Sequence, residues 1–275
     1  MADRHVVQFY DDHPITAAQV LEKVQAARGT LDGPSAADLW PHDQDHYGGL
    51  DANDALAAAA GMRPGDRVLD LCAGLCGPAR HNVVVRGVEV TAVDLNAKRC
   101  GGARDLNARV GLAGRIAVIE ADVTAPPVPD GAFDIAWSQE AFLHIADKPR
   151  LLAAARRALR TGGRLAFTDW TAGPGLTTDD RALMSTGIAA KAIHTPAEYG
   201  ALLSAAGFDS IAHEDVSVLW KPILRARLEM YRGLREEARR GSGADPHADY
   251  VRFYERFVDL VVSGRLGGAR FVAAA

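Results

Sequence analysis

The sequence has little cysteine: three residues, Cys72, Cys76 and Cys100, in a chain of 275. Three thiols cannot form a disulfide framework, so a reducing, cytoplasmic setting is expected. There is no run of eighteen apolar residues, which excludes a transmembrane helix by pattern. The opening Met1-Ala2-Asp3-Arg4-His5 lacks the basic and apolar regions of a signal peptide. Neither sign of charge is in excess, since 31 Lys and Arg against 35 Asp and Glu leave a net charge of −4. Such a chain is a poor general binder of nucleic acid or anionic membrane, and neither is expected as a partner. No internal repeat and no long low-complexity tract appears. Hydrophobic residues at 48% and charged residues at 24% are ordinary for a globular protein, which excludes disordered, collagen-like and coiled-coil chains. The length suits one large domain, or one domain with a modest cap or insertion.

From residue 66 short apolar runs alternate with helix-length segments. The runs are 67–71, 88–93, 115–119, 133–137 and 164–168. Each is rich in Val, Ile, Leu or Phe and bounded by Gly, Asp or Pro, as suits buried parallel strands. Helices are predicted between them at 77–86, 97–111 and 148–160. Strands alternating with helices imply an α/β doubly wound sheet. Beyond Gly173-Pro174-Gly175, helices are predicted at 178–190 and 196–206, the latter with Thr195 as N-cap, Pro196 at N1 and Gly207 as its stop. A sixth strand through 208–218, helices at 221–240 and 247–263, and a last strand at 269–274 complete the count. Gly241-Ser242-Gly243-Ala244-Asp245-Pro246 reads as an exposed linker. Before the core, helices are predicted at 15–28 and 51–61, the second with Asp51 as N-cap and Gly61 as stop. The expected architecture is a Rossmann-like, seven-stranded, mostly parallel sheet. Residues 1–60 form an N-terminal cap, residues 61–275 the core, and residues of about 173–206 a lid insertion.

The most informative stretch is Val68-Leu69-Asp70-Leu71-Cys72-Ala73-Gly74-Leu75-Cys76-Gly77-Pro78. It is an apolar strand ending in an acid, a turn of small residues, and a helix start. Ligands of open α/β sheets bind at the carboxyl ends of the strands, and small residues let backbone approach them. The turn is not G-x-G-x-x-G, so a dinucleotide fingerprint is weak here. Asp94 closes the next strand, where a carboxylate can accept both hydrogen bonds of a ribose diol. Asp122 follows the third, where it can accept from an adenine amino group. Three acids on three successive strand ends converge on one nucleoside crevice. Cys72 and Cys76 have no second pair of ligands nearby, so a zinc site is not expected. The segments Asp11-Asp12-His13 and His42-Asp43-Gln44-Asp45-His46 hold metal-ligating side chains without a fixed ligand geometry, and no metal is predicted. Arg225 and Arg227 interleave with Glu on a predicted helix and read as a solvated face.

With these residues in place, region 60–172 resembles the class I S-adenosylmethionine-dependent methyltransferases. That family's first motif usually reads Asp-x-Gly-x-Gly-x-Gly; here Cys72 and Cys76 replace two glycines and Gly74 remains. The resemblance implies S-adenosyl-L-methionine as cofactor and S-adenosyl-L-homocysteine as product. Asp70 and the 72–77 turn, with Cys72, Ala73 and Gly74, would hold the methionine end. Asp94 would bind the ribose, with Leu95 beside the adenine, and Asp122 and Val123 would meet the adenine ring. The fourth strand end, Trp137-Ser138-Gln139-Glu140-Ala141-Phe142-Leu143-His144, is similar to phosphoethanolamine and glycine/sarcosine/dimethylglycine N-methyltransferases, as is Gly48-Gly49-Leu50-Asp51-Ala52. In such enzymes this strand end faces the methyl group, which brings Ser138 and Gln139 to the cofactor and Gln139 to the acceptor. His144 would be the proton acceptor, suited by an ordinary pKa near neutrality. A tyrosine from the N-terminal segment would latch onto it, with Tyr10 and Tyr47 both candidates. Trp170 stands where the phosphobase enzymes carry a tyrosine, and Lys191-Ala192-Ile193-His194 stands in their lid. Trp170 and His194 are therefore candidate acceptor contacts.

The activity this implies is methyl transfer to a small molecule, with an amine nitrogen favoured. The same fold and motifs serve oxygen and carbon acceptors. A non-catalytic nucleoside-binding module and a nicotinamide-dependent oxidoreductase are the rival classes.

Overall fold

A computed structural model describes residues 4–242 and 248–275. The chain opens with α1 (Arg4–Asp11), α2 (Ala17–Arg28), α3 (Ala36–Leu39) and α4 (Gly49–Ala60). The core then alternates β1 (Arg67–Leu71), α5 (Gly77–Arg86), β2 (Glu89–Asp94), α6 (Ala97–Arg109) and β3 (Ile116–Glu120). It continues through β4 (Phe133–Gln139), a 3₁₀ turn (Phe142–His144), α7 (Lys148–Ala158) and β5 (Leu159–Ala172). The remainder is α8 (Thr178–Ile188), α9 (Pro196–Ala205), β6 (Asp209–Asp215), α10 (Ser217–Ser242), α11 (Ala248–Val262) and β7 (Leu266–Ala274).

The seven strands lie in the order β3-β2-β1-β4-β5-β7-β6. The first five are parallel, and β7 runs antiparallel between β5 and β6. Because β1 is central and its neighbours lead off in opposite directions, the chain reverses its direction of growth beside the end of β1. Such a switch point opens a crevice for a ligand. Successive residues of β1 serve opposite faces: Leu69 and Leu71 join a cluster with Leu151, Leu152, Phe167 and Phe271, while Val68 joins Leu56, Val83, Val90 and Trp137. Both faces are covered by helices, which is why the strands read as continuous apolar runs.

The cap rests on the core through Val20, Val24 and Leu39, which pack against Leu75 and Leu106. Beneath it the Arg80 guanidinium reaches Asp43 at 2.9 Å, both side chains fully buried, and donates to Asn107 at 2.8 Å. At the other end of the sheet, α8, α10 and α11 enclose an aromatic cluster of Trp170, Trp220, Tyr254 and Phe257.

Several expectations require correction. Asp51 is not an N-cap: Gly48 occupies that position with φ +89°, and Asp51 lies in the first turn of α4, where its charge favours the helix dipole. Helix α2 starts at Ala17, capped by Thr16. Helix α7 stops at Ala158, because Leu159 is already extended and pairs with Phe133. Strand β5 is therefore much longer than 164–168; the polar Arg160-Thr161-Gly162-Gly163 masked its start. Helix α10 begins at Ser217, with Pro222 inside it. Of the expected linker, Gly241 and Ser242 belong to α10, and 243–246 lie outside the described residues. Helices α1 and α3 had no counterpart in the sequence reading. The Thr195 cap holds as a capping box with Glu198, and Pro196 opens α9. Helix α9 packs into the main core through Tyr199 and Leu203.

Candidate active site

At the carboxyl ends of β1, β2 and β4 most side chains are buried, yet a connected set stays half exposed. It comprises Cys72, Ala73, Gly74, Asp94, Leu95, Gln139, Glu140 and His144, with Tyr10 and Tyr47 from the cap. These residues outline the crevice at the switch point.

The turn after β1 is held by β2. Cys72 and Ala73 donate their backbone N–H to Val93 O at 2.8 and 3.2 Å. Cys72, Gly74 and Cys76 all lie in the left-handed region, with φ of +63°, +54° and +61°. The backbone thus keeps the path that glycines make easy, and the two cysteines carry its strain. Gly77 is required for another reason: a Cβ there would meet Asp43 O at 2.0 Å. The Asp94 carboxylate accepts from Gly74 N at 2.8 Å on one oxygen and from Asn96 N at 2.9 Å on the other. Each oxygen retains a lone pair, as a ribose diol needs. Burial pushes the Asp94 carboxyl upward against these bonds. Asp70 is buried at the end of β1; burial, with the Asp94 charge adding to it, raises its pKa to about 8. A buried acid without a neighbouring cation is suited to an incoming ammonium. Gln139 Oε1, at the end of β4, is buried without a hydrogen-bond partner. An anchored carboxylate, a cation-seeking acid and an orphaned carbonyl oxygen along one crevice fit S-adenosylmethionine.

The 3₁₀ turn after β4 sets His144. The Tyr10 hydroxyl lies 2.9 Å from His144 Nε2, and His144 Nδ1 lies 3.2 Å from Ala189 O. A carbonyl oxygen only accepts, so Nδ1 carries the proton and Nε2 offers its lone pair to Tyr10. Lys148 holds this turn: its ammonium donates to Phe142 O (2.6 Å), Ile145 O (2.7 Å) and Ala192 O (3.3 Å). Burial lowers its pKa to about 8, against the opposing charge of Asp169. Asp169, raised by burial to about 6, accepts from Leu143 N and from the Tyr199 hydroxyl. On the cap side, the Arg99 guanidinium lies over the Tyr10 ring at 4.9 Å and pairs with Asp45. Asn96 Nδ2 donates to Val7 O and to Asp11 Oδ1. Helix α1 is thereby fixed across the crevice.

The other expected site residues lie as follows. Tyr47 does not meet His144; its N–H donates to both Glu140 oxygens at 3.0 Å, and its ring packs edge-on against Trp170 at 5.6 Å. Trp170 is 2% exposed, wedged between Tyr47, Trp220 and Phe257. Ser138 is buried and donates to Leu71 O at 2.8 Å, tying β4 to the end of β1. Gln139 Nε2 lies 3.3 Å from His46 Nδ1. Val123 is buried in the main core, whereas the Asp122 carboxylate closes its own turn onto Thr124 N and Oγ1. His194 lies beside β5, with Nδ1 3.8 Å from Glu198. The acids of the His42–His46 segment serve as partners for Arg80 and Arg99. Among the described residues no group of three or more His, Cys, Asp or Glu gathers as for a metal. Likewise no described helix is long and apolar enough to cross a membrane.

Three site residues escaped the sequence reading. Glu140 is a non-glycine residue at φ +54°, its carboxyl raised well above the ordinary range by burial. Its place four residues before His144 was the available signal. Lys148 had none. Arg227 was read as part of a solvated face, yet it is half-buried with its guanidinium 4.4 Å from the Tyr47 ring centroid.

A family model described as "Methyltransferase domain" matches residues 69–167. The chain is 34% identical over 188 residues to a 27-O-demethylrifamycin SV methyltransferase of Amycolatopsis mediterranei, covering 67% of this chain and 69% of that protein. It is 32% identical over 173 residues to a sarcosine/dimethylglycine N-methyltransferase of Halorhodospira halochloris, covering 58% of this chain and 60% of that one. Among solved structures, phosphoethanolamine N-methyltransferase 2 of Haemonchus contortus superposes with a TM-score of 0.75 at 20% identity, over 93% of this chain and 59% of that one. Geranyl diphosphate C-methyltransferase of Streptomyces coelicolor gives 0.75 at 15% identity, over 98% and 96%. The crevice, the order of the strands and these similarities place the chain in the class I S-adenosylmethionine-dependent methyltransferase family. It is an S-adenosylmethionine-dependent enzyme acting on a small molecule. The relatives methylate nitrogen, oxygen and carbon.

Proposed function

We propose that the chain methylates a hydroxyl oxygen of a small molecule, with Tyr10 and His144 taking the proton. The observation that carries this reading is the Tyr10–His144 contact of 2.9 Å, with the Nε2 lone pair turned to the hydroxyl. A hydroxyl is a weak nucleophile while it keeps its proton, so its methylation gains most from a positioned base. When bound, S-adenosylmethionine supplies an electrophilic methyl carbon on a sulfonium, open to in-line displacement. His144 Nε2 would receive the proton that the acceptor oxygen loses as it is methylated, with S-adenosylhomocysteine as the leaving group. Tyr10 passes its own proton to Nε2 while taking that of the acceptor. Burial raises the Tyr10 phenol far above its ordinary range, so a free phenolate is disfavoured and the two transfers are concerted. Asp70, Asp94 and Gln139 hold the cofactor, and Ser138 keeps the two central strand ends in register. Helix α1 and the 189–194 segment enclose the site as its lid.

Trp170 is enclosed by other aromatics, and one face of Tyr47 is covered by Arg227. Trp170 is closed to a substrate and Tyr47 already carries a cation on one face, which favours the hydroxyl over an amine. The similarity to a 27-O-demethylrifamycin SV methyltransferase supports the same choice. An amine nitrogen is the second reading, supported by the Glu140 carboxyl, which can face an ammonium. The test is S-adenosylhomocysteine formation across a panel of small hydroxyl and amine acceptors, with product masses. Turnover with hydroxyl acceptors is expected, falling on the order of 10²-fold in His144→Ala and about tenfold in Tyr10→Phe, with S-adenosylhomocysteine affinity unchanged. Turnover with amines alone, or turnover indifferent to His144, refutes the reading.

A further inference from the structure

Among the described residues, four cations around the crevice have oxygen partners. Arg80 has Asp43 at 2.9 Å, Arg99 has Asp45, and Lys98 has Asp11 at 3.1 Å. Lys148 has three carbonyl oxygens. Arg227, reaching in from α10, has no carboxylate oxygen within 4 Å among the described residues; its guanidinium carbon lies 4.4 Å from the centre of the Tyr47 ring, and the Tyr254 hydroxyl is its polar neighbour. It is half-buried, and its charge is felt at once by His13, His46, Tyr47, Glu140 and Tyr254. Those groups come from the cap, the end of β4 and α11, so Arg227 stands where the elements around the crevice meet. The nearest acid in that set, Glu140, is engaged through both oxygens with Tyr47 N. The Tyr47 ring, the Tyr254 hydroxyl and the Glu140 charge hold the guanidinium in its charged form, and none of them makes a direct carboxylate contact with it. A guanidinium carries five N–H donors, more than the Tyr254 hydroxyl can accept, so donors remain for a planar oxyanion.

We propose that Arg227 is a specificity-determining residue that selects methyl acceptors carrying an acidic oxygen group, such as a carboxylate, and holds that group against Tyr47 while the hydroxyl faces Tyr10 and His144. The proposal rests on the methyl-transfer reading and narrows its substrate class to hydroxy acids. No group on the chain has to ionise for this recognition, because a guanidinium keeps its charge throughout the working pH range.

The test uses the full chain saturated with S-adenosylhomocysteine and three probes titrated by calorimetry: salicylate, its neutral amide salicylamide, and benzylamine. Salicylate is expected to bind at least about tenfold more tightly than either, the scale of one charge-assisted, bidentate contact. Arg227→Met keeps an unbranched apolar stem over Tyr47 and should erase the preference, while Arg227→Lys keeps part of it. Arg225→Met, two residues away on an exposed position, should change nothing. Circular dichroism and S-adenosylhomocysteine affinity, both expected at wild-type values, show that each variant is folded. Equal binding of the three probes overturns the proposal, as does a preference that survives Arg227→Met, benzylamine as the tightest probe, or no binding of any probe. If S-adenosylhomocysteine itself fails to bind, the methyl-transfer reading falls and the proposal falls with it.

Discussion

Cofactor binding should release a proton from Asp70. In the cofactor-free chain this carboxyl is buried, with a pKa of about 8, so at pH 7 it is roughly nine-tenths protonated. A bound methionine ammonium beside it favours the carboxylate and draws the pKa back toward the ordinary range. Binding at pH 7 then releases about 0.9 proton, and affinity rises with pH by up to about tenfold per unit until pH 8. The readout is the heat of S-adenosylhomocysteine binding in phosphate and in Tris at pH 7, whose difference gives the number of protons exchanged. Asp70→Asn is the reference, since it keeps every other titrating group. The same shift acts on stability. A carboxyl whose pKa is raised in the folded chain binds more protons there than in the unfolded chain. Stability from this group is therefore full below pH 4 and is lost as pH rises through 8. The loss between pH 6 and 8 is roughly 2 kcal/mol, and Asp70→Asn should lack it. Equal heats in the two buffers, or a release undiminished in Asp70→Asn, would refute the argument that burial keeps this acid neutral.

The two cysteines of the cofactor turn should behave differently when changed to glycine. Cys72→Gly relieves a left-handed residue at a half-exposed position and should leave stability unchanged or raise it by up to about 1 kcal/mol. Cys76→Gly relieves the same strain but empties a fully buried core position, and should lower stability by about 1–2 kcal/mol; urea unfolding of both variants checks the sign and the gap. Asp43→Ala strands the buried Arg80 guanidinium beneath the cap and should cost about 3–5 kcal/mol, read as a lower urea midpoint at unchanged slope.

The α/β core was legible because its strands are covered on both faces and so appear as unbroken apolar runs, and because Asp70 and Asp94 end two of them. The strand that escaped in part, β5, begins with Arg160-Thr161-Gly162-Gly163, where backbone pairing outweighs a polar, glycine-rich composition. Helix α1 escaped because it is short and has no buried residue, its position being set by contacts with Asn96, Lys98 and His144 far along the chain. The pairing of an N-terminal tyrosine with His144 was suggested by resemblance, but the choice between Tyr10 and Tyr47 needed the structure. It turns on the segment between them folding back so that Tyr47 N meets Glu140. Arg227 was misread for a physical reason. Its helix is amphipathic and rich in charge, and a heptad-scale pattern does not reveal that an aromatic ring from residue 47 lies beneath one guanidinium.

Helix α1 has a kinetic consequence. Tyr10, half of the proposed proton-accepting pair, sits on the same eight residues that lie across the crevice. On that proposal the base is complete only with this helix in place, so readiness for chemistry and exclusion of solvent become a single event. A cofactor bound without that helix in place meets an incomplete base, which protects a reactive sulfonium from idle turnover.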